Sequence, residues 1–256
     1  MNRINKLFSA KKENIFSVYF TAGYPNLNDT VEIIRQLAQH GVDMIEIGIP
    51  FSDPLADGPV IQNSSRIALQ NGMSQKLLFE QLKDIRQITD IPLIFMGYVN
   101  PILQFGFEQF CSRAKEIGID GFIIPDLPMD EYLREFKPVA DRYGLENILL
   151  ITPETPEKRI RMIDENSNGF IYMVSSASTT GVQNSFSQEK EHYFERIKNM
   201  NLKNPTLVGF GISNKETFES ACRHSSGAII GSAFVKLLGG NSIGKAVEML
   251  IEEIKR

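Results

Sequence analysis

The sequence predicts an α/β protein, a single-domain (β/α)8 barrel of the TIM type with an extra N-terminal helix and extra helices in the loops. Short, nearly continuous apolar runs recur along the 256-residue chain, which is typical of parallel strands buried on both faces. Amphipathic segments of helical period separate these runs, and about 250 residues is the usual length for eight such strand–helix units. We expect one domain over residues 1–256, because no linker or low-complexity segment interrupts the pattern.

Eight runs rich in β-branched or aromatic side chains are the predicted strands. They are Ile15–Phe20, Met44–Ile49, Pro92–Tyr98, Gly121–Ile124, Asn147–Ile151, Phe170–Val174, Thr206–Phe210 and Ala228–Ile230. A doubly wound open sheet is the structural alternative, and it often carries a G-x-G-x-x-G turn after its first strand. The first predicted strand is followed by T-A-G-Y-P instead, which favours the barrel.

The predicted helices lie between these strands. Thr30–Gln39 carries apolar residues on one face, and it ends close to a glycine, as do Phe107–Ile117 and Glu131–Tyr143. Glycine suits the left-handed position that closes a helix. Further helices are predicted over Leu77–Ile88 and Ala246–Lys255. The repeated helix–glycine–strand join indicates βα units, as in a barrel.

The composition argues against several classes of partner. A net charge of −4 with scattered Lys and Arg gives no electrostatic basis for binding nucleic acid or an anionic membrane. No apolar run approaches the roughly 18–20 residues that span a bilayer, and the first residues lack the apolar stretch of a secretory signal. Cys111 and Cys222 lie far apart in helical patterns, as expected of reduced thiols. We therefore expect a cytoplasmic protein.

The strongest functional signal is a carboxylate inside a predicted strand. Glu46 alternates with Ile45 and Ile47, so the isoleucines should face the helices and Glu46 the barrel mouth. Burial raises the pKa of a carboxyl group, which suits proton transfer near neutral pH. A structural ion pair is the alternative, although no Lys or Arg lies nearby in the sequence. Asp57 follows in a loop rich in Pro and Gly, where Asp is also a common turn residue.

Small-residue turns after the last two predicted strands indicate a phosphate site. Gly211-Ile212-Ser213 and Gly231-Ser232-Ala233 lead into helical segments, and N–H groups at helix N-termini bind anions. This is the common phosphate position in such barrels, although either turn alone is also explained by a tight bend. The three histidines follow no strand, and no lysine lies inside one. We therefore expect carboxylate acid/base chemistry on a phosphorylated substrate, without a metal or a built-in cofactor.

The chain resembles the tryptophan synthase α subunit family along essentially its whole length. The resemblance rests on the motifs T-A-G-Y-P (21–25), E-I-G-I-P-F-S-D-P-L-A-D-G-P-V-I-Q-N (46–63), M-G-Y-x-N-P (96–101), P-D-L-P (125–128), G-F-G-I-S (209–213) and I-I-G-S-A (229–233). This family cleaves indole-3-glycerol phosphate to indole and glyceraldehyde 3-phosphate, and a pyridoxal-phosphate β subunit consumes the indole to make tryptophan. The resemblance implies the same lyase reaction in this chain, with no cofactor of its own.

The resemblance also implies roles for individual residues. Glu46 would be the general acid/base at the indole carbon that is released, and Asp57 would hydrogen-bond the indole N–H and stabilise the cationic intermediate. The implied binding residues are Phe20, Tyr98, Leu127 and Phe210 around the indole ring, Tyr172 beside the catalytic Glu, Gly211, Gly231 and Ser232 at the phosphate, and Thr180 in a mobile loop.

The loop after the sixth predicted strand departs from the family pattern. The family commonly reads S-R-x-G-V-T-G there, whereas this chain has Ser176 in place of the Arg and Ser178 in place of the first Gly. The charged anchor of the loop is thereby lost. We predict that residues 176–186 are mobile without a ligand. The resemblance implies that Thr180 contacts the Asp57 loop when the site closes.

Three functional interpretations are open from the sequence. The resemblance implies an αββα tetramer with the β subunit, in which Pro50, Asp53 and the Asn100-Pro101 segment make contacts. A stand-alone indole-3-glycerol phosphate lyase would share the fold and the chemistry but not the partner. A regulatory subunit that senses a phosphorylated ligand would have lost the chemistry, and the presence of Glu46 and Asp57 argues against it.

Overall fold

Nine parallel strands form the barrel in the computed structural model, which describes residues 1–175 and 188–255. The strands are β1 (Ile15–Thr21), β2 (Met44–Gly48), β3 (Leu93–Met96), β4 (Gly121–Ile123), β5 (Glu146–Asn147), β6 (Leu149–Ile151), β7 (Ile171–Val174), β8 (Thr206–Gly209) and β9 (Gly227–Ile230). Their order in the sheet is β5-β4-β3-β2-β1-β9-β8-β7-β6. Since β5 and β6 are separated only by Ile148, the two ends of the sheet meet and the barrel closes.

Helices follow the strands and surround them. They are α1 (Arg3–Ala10), α2 (Thr30–Gln39), α3 (Pro59–Gln70), α4 (Gln75–Gln81), α5 (Val99–Phe105), α6 (Phe107–Ile117), α7 (Met129–Glu131), α8 (Lys137–Tyr143), α9 (Glu157–Asn166), α10 (Gln188–Asn199), α11 (Lys215–His224), α12 (Ser232–Gly240) and α13 (Ile243–Lys255). The predicted barrel with an N-terminal helix and additional loop helices is confirmed. Within residues 1–175 and 188–255, no helix has the length and apolar character needed to cross a membrane.

Three elements differ from the sequence prediction in their continuity. The predicted helix Leu77–Ile88 is formed by α4, which ends at Gln81, and by a separate 3-10 turn, Ile85–Gln87. The predicted strand Asn147–Ile151 is interrupted at Ile148, whose N–H still bonds the Phe122 carbonyl of β4 at 3.0 Å. The residues after Ile148 pair with β7 instead, so the break lies where the chain changes partners to close the barrel. The predicted helix Glu131–Tyr143 is formed by α7 and α8 with a π-helical turn, Tyr132–Phe136, between them.

A buried carboxylate joins three elements at the N-terminal end of the barrel. Asp120 precedes β4 and is 3% exposed. Its oxygens accept hydrogen bonds from the Leu93 N–H at 3.0 Å, from Arg86 Nη2 at 2.6 Å and from Arg3 Nη1 at 3.2 Å. The carboxylate therefore connects α1 and the start of β3 to β4, at the end of the barrel opposite the functional loops.

We predict that Arg86→Leu lowers the free energy of unfolding by about 3 kcal/mol, because it leaves Asp120 buried without its shortest charged partner. Urea denaturation at pH 7 measures this difference. The matched control is Arg142→Leu, which breaks the pair with Glu108 in which both side chains are 60% exposed. This control should cost less than about 1 kcal/mol. Equal losses for the two variants would contradict the role given to Asp120.

Candidate active site

Glu46 lies in the middle of β2 and faces the interior of the barrel. The parallel register aligns it with Tyr19 of β1 and with Ile94 of β3. Side chains aligned across neighbouring strands share one face of a sheet, and those on either side of them along the strand take the other face. Ile45 and Ile47 therefore face the helices, as the sequence predicts, and Glu46 is fully buried.

The Glu46 carboxyl group has no partner for its charge. Neither of its oxygens has a hydrogen-bond partner among the described residues. Burial raises the pKa of Glu46 from 4.5 to about 8, which confirms the predicted shift. A buried carboxyl group left unpaired costs folding free energy, and such groups occur mainly at functional sites. Glu46 can thus carry a proton at neutral pH and exchange it with a bound molecule.

Asp57 lies in the loop between β2 and α3 and is held there by Tyr98. The Tyr98 hydroxyl donates a hydrogen bond to Asp57 Oδ2 at 2.9 Å and accepts one from the Ala56 N–H at 3.1 Å. Its ring lies 5.3 Å from that of Phe51 in the same loop. Burial raises the pKa of Asp57 to about 6, and the bond from Tyr98 opposes part of this rise. Asp57 is therefore an ionised, partly buried acceptor near neutral pH.

Tyr172 of β7 brings a second aromatic side chain towards Glu46. A Cβ built on Gly209 of β8 would lie 2.0 Å from the Tyr172 hydroxyl, so the ring crosses β8 where only glycine leaves space. Phe210 packs edge-on against Tyr172 with ring centroids 6.1 Å apart, and its carbonyl accepts a 2.6 Å hydrogen bond from Ser175 Oγ. Burial and then the charge of Glu46 raise the pKa of Tyr172.

The predicted phosphate residues lie where β8 and β9 end. Gly211 follows β8 with a positive φ of 74°, and Gly231 immediately precedes α12, whose first residue is Ser232. The N–H groups of the first helical turn have no acceptor within the helix, and they favour an anion. Gly211, Gly231 and Ser232 are all partly exposed, which leaves this end of the barrel open to a ligand.

Phe20, a predicted site residue, does not face the site. Its neighbour Tyr19, which was not predicted, does. Phe20 is aligned with Ile47, so it faces the helices and is completely buried there. Tyr19 is aligned with Glu46 and faces the interior in its place. The expectation that Phe20 surrounds the ligand is therefore wrong by one residue. The alternation of side chains along β1, counted from the register with β2, could have identified Tyr19.

The two remaining residues of the set are Leu127 and Thr180. Leu127 lies in the turn after β4, where its N–H bonds the Ile124 carbonyl at 3.2 Å, and its side chain is half-buried. Thr180 and the predicted mobile loop, with Ser176 and Ser178, lie outside the described residues.

The fold and the site together define a class of protein. Two carboxyl groups with raised pKa values, Glu46 within β2 and Asp57 in the loop after it, belong to a (β/α)8 barrel with glycine turns at the ends of β8 and β9. Across the described ranges 1–175 and 188–255, no group of three His, Cys, Asp or Glu side chains is placed to hold a metal ion. The fold is that of a TIM-barrel enzyme, and its two carboxyl groups are suited to acid/base chemistry.

Comparison with known proteins identifies the family. The family model for the tryptophan synthase alpha chain matches residues 6–255. The tryptophan synthase alpha chain of Parabacteroides distasonis is 60% identical over 100% of both chains. That of Flavobacterium johnsoniae is 61% identical over 98% of this chain and 99% of its own. The chain belongs to the tryptophan synthase alpha chain family, and it is a lyase that cleaves indole-3-glycerol phosphate.

Solved structures of relatives have the same barrel. The tryptophan synthase subunit alpha of Legionella pneumophila superposes with a TM-score of 0.89 at 33% identity, covering 100% of this chain and 97% of its own. A chain of tryptophan synthase from M. tuberculosis superposes with a TM-score of 0.86 at 26% identity, covering 99% and 98%. The fold is therefore maintained at much lower sequence identity.

We predict that Glu46→Gln stabilises the protein increasingly as the pH rises from 5 to 8. The folded state holds the Glu46 proton up to about pH 8, whereas the unfolded chain releases it near its ordinary pKa. The wild type therefore loses stability across this interval, by about 3 kcal/mol, and the variant does not. Urea denaturation at both pH values measures the difference, with Glu253→Gln at an exposed site as the control. A difference that is constant with pH would refute the raised pKa.

Proposed function

We propose that the chain performs a retro-aldol cleavage of indole-3-glycerol phosphate in which Glu46 moves the protons and Asp57 holds the indole nitrogen. The observation that carries this proposal is the buried, unpartnered carboxyl group of Glu46, with a second carboxyl group on the loop that follows the same strand. Their pKa values of about 8 and about 6 differ in the sense that the two roles need. At neutral pH Glu46 is mainly protonated and Asp57 mainly ionised.

The proton transfers balance over one turnover. Protonated Glu46 gives its proton to C3 of the indole ring, which places a positive charge on the ring nitrogen, and the Asp57 carboxylate accepts a hydrogen bond from that N–H. The Glu46 carboxylate then takes the proton of the hydroxyl group on the carbon attached to C3. The carbon–carbon bond breaks, its electron pair restores the aromatic indole, and the former carbinol carbon leaves as the aldehyde of glyceraldehyde 3-phosphate.

The remaining residues would bind the two ends of the substrate. We assign Gly211, Gly231 and Ser232 to the phosphate, since they lie at the ends of β8 and β9 where backbone N–H groups suit an anion. The indole ring would lie against Leu127 and Phe210. Tyr98 would act chiefly through its bond to Asp57, and Tyr172 through its position beside Glu46. Thr180 would contact the Asp57 loop on closure.

A β subunit that carries pyridoxal phosphate would take up the indole, with the two chains as an αββα tetramer in the cytoplasm and no cofactor in this chain. Membership of the family supports the partner, and the surface supports its location. Leu55 is 91% exposed and Leu103 is 53% exposed. They lie beside the predicted contact residues Asp53 and the Asn100-Pro101 segment, and exposed large apolar side chains of this kind favour a protein interface.

We predict that the chain releases indole from indole-3-glycerol phosphate and that Glu46→Gln lowers kcat by at least about 100-fold, because it removes the general acid/base. The release of indole is followed by absorbance with and without a β subunit, and Glu253→Gln is the control. Slow release that the β subunit accelerates fits the coupled enzyme, whereas fast release by the free chain would indicate a stand-alone lyase. No release in either condition would refute the proposed reaction.

We predict that the chain and a tryptophan synthase β subunit co-sediment as an αββα tetramer and that Leu55→Asp weakens this association at least tenfold. A buried charge in place of an apolar contact costs more than about 1.4 kcal/mol, which is a factor of ten. Analytical ultracentrifugation of the mixed subunits tests this. Charge reversal at the exposed Glu253 of α13 serves as the control. Separate sedimentation of the wild-type subunits would contradict the tetramer.

A further inference from the structure

Tyr19 lies between the predicted phosphate turn at Gly231 and the strand that carries Glu46. Register aligns it with Glu46 of β2, and the pairing of Val18 with Ile230 places Gly231 next to it on the other side. A Cβ built on Gly231 would lie 3.5 Å from Cδ1 of the Tyr19 ring. One built on Gly48 would lie 2.1 Å from its hydroxyl oxygen. The ring therefore begins at the predicted phosphate turn and its hydroxyl group ends over β2.

The hydroxyl proton of Tyr19 has a defined direction. Tyr19 Oη lies 3.4 Å from Thr21 Oγ1, which lies 2.7 Å from Ser64 Oγ. Ser64 donates its own proton to the Ile61 carbonyl at 2.9 Å, and a carbonyl can only accept. Ser64 must therefore accept from Thr21, and Thr21 must accept from Tyr19. This chain of hydrogen bonds orients the Tyr19 proton towards Thr21, so the lone pairs of the Tyr19 oxygen are left for the site.

The surroundings of Tyr19 keep its hydroxyl group in the neutral form. Burial and then the charge of Asp57 raise the pKa of Tyr19 above its ordinary value. The phenol consequently stays neutral throughout the pH range in which Glu46 and Asp57 titrate. A neutral hydroxyl oxygen whose proton is oriented away from the ligand is suited to accept a hydrogen bond from it.

The proposed substrate would cross the Tyr19 ring. Its phosphate would be bound at Gly231 and its indole N–H at Asp57, so the glycerol carbons that join them lie between these points. Two hydroxyl groups are carried by this linker. One is the hydroxyl that Glu46 deprotonates in the proposed cleavage, and the other needs an acceptor where it loses water on binding.

We propose that Tyr19 is a specificity-determining residue that accepts a hydrogen bond from the second glycerol hydroxyl group. The inference rests on the proposed function, and it adds a preference for one class of substrate. The chain should select phosphate esters whose linker carries hydroxyl groups over those with a plain alkyl linker, because only the former satisfy the Tyr19 oxygen.

Binding of two ligands to one pair of variants tests the proposal. The full chain is prepared as Glu46→Gln, which prevents turnover, with and without Tyr19→Phe. Calorimetry measures the dissociation constants of indole-3-glycerol phosphate and of indole-3-propanol phosphate, which lacks both linker hydroxyl groups. We expect Tyr19→Phe to weaken the first ligand roughly 3- to 10-fold, as for one lost hydrogen bond, and to change the second less than about twofold. Tyr143→Phe removes a hydroxyl group at the surface and is the control.

Each other outcome overturns the assignment. Equal weakening of both ligands would show that Tyr19 only supports the packing of the site, and unchanged binding of both would show that its oxygen contacts no linker hydroxyl group. A Tyr19→Phe variant that binds neither ligand would also show that Tyr19 only supports the packing of the site. Failure of the proposed reaction is seen separately, as the absence of indole release by the chain with Glu46 intact, so the two conclusions are distinguishable.

Discussion

The rest of the site depends on one carboxyl group that is kept buried without a partner. Glu46 is 0% exposed and has no hydrogen-bond partner in the described part of the chain. Water or a cation at this position would return its pKa towards the ordinary range. The fold works against this, because β2 lies between β1 and β3 in a closed sheet and the carboxyl group is fully buried. In the proposed mechanism, the free energy that folding loses at Glu46 makes the carboxyl group more reactive towards the substrate.

Two glycines allow tyrosine rings to cover the site in the same way. Tyr19 of β1 lies over Gly48 of β2, and Tyr172 of β7 lies over Gly209 of β8. In each case the glycine is two residues beyond the residue aligned with the tyrosine in the neighbouring strand. Any side chain at these glycines would meet the phenol oxygen at about 2 Å. The two rings therefore reach the mouth of the barrel only because the adjacent strands lack a Cβ there.

The sequence was sufficient to predict the barrel and its principal carboxylate. Continuous apolar strands and a charged residue within one of them are local features, and Glu46 could be placed on the inner face by alternation alone. The interruption at Ile148 could not be predicted, because it arises where the chain changes from pairing with β4 to pairing with β7. The bond from Tyr98 to Asp57 joins residues 41 positions apart, which no local pattern reports.

The correction from Phe20 to Tyr19 shows that a motif resemblance does not determine which face of a strand a matched residue takes. Both residues are aromatic and adjacent, so a motif match does not distinguish them, whereas a shift of one residue along a strand changes the face that a side chain takes. Only the register with β2 shows that Tyr19 shares the face of Glu46. The chain of hydroxyl groups through Thr21 and Ser64 is seen only in the structure, because Ser64 lies in α3, 43 positions from Thr21.

Direct titration of Glu46 tests most sharply whether this carboxyl group is buried without a partner. The carboxyl carbon of Glu46 is followed by ¹³C NMR in the ligand-free protein as the pH is changed, and Glu46→Gln assigns the signal. The structure predicts a midpoint of about 8, because burial without a partner disfavours the charged form. A midpoint between about 4 and 5, the ordinary range for a glutamate, would show that water or a partner reaches the carboxyl group, and it would contradict the role of Glu46 as a proton carrier at neutral pH.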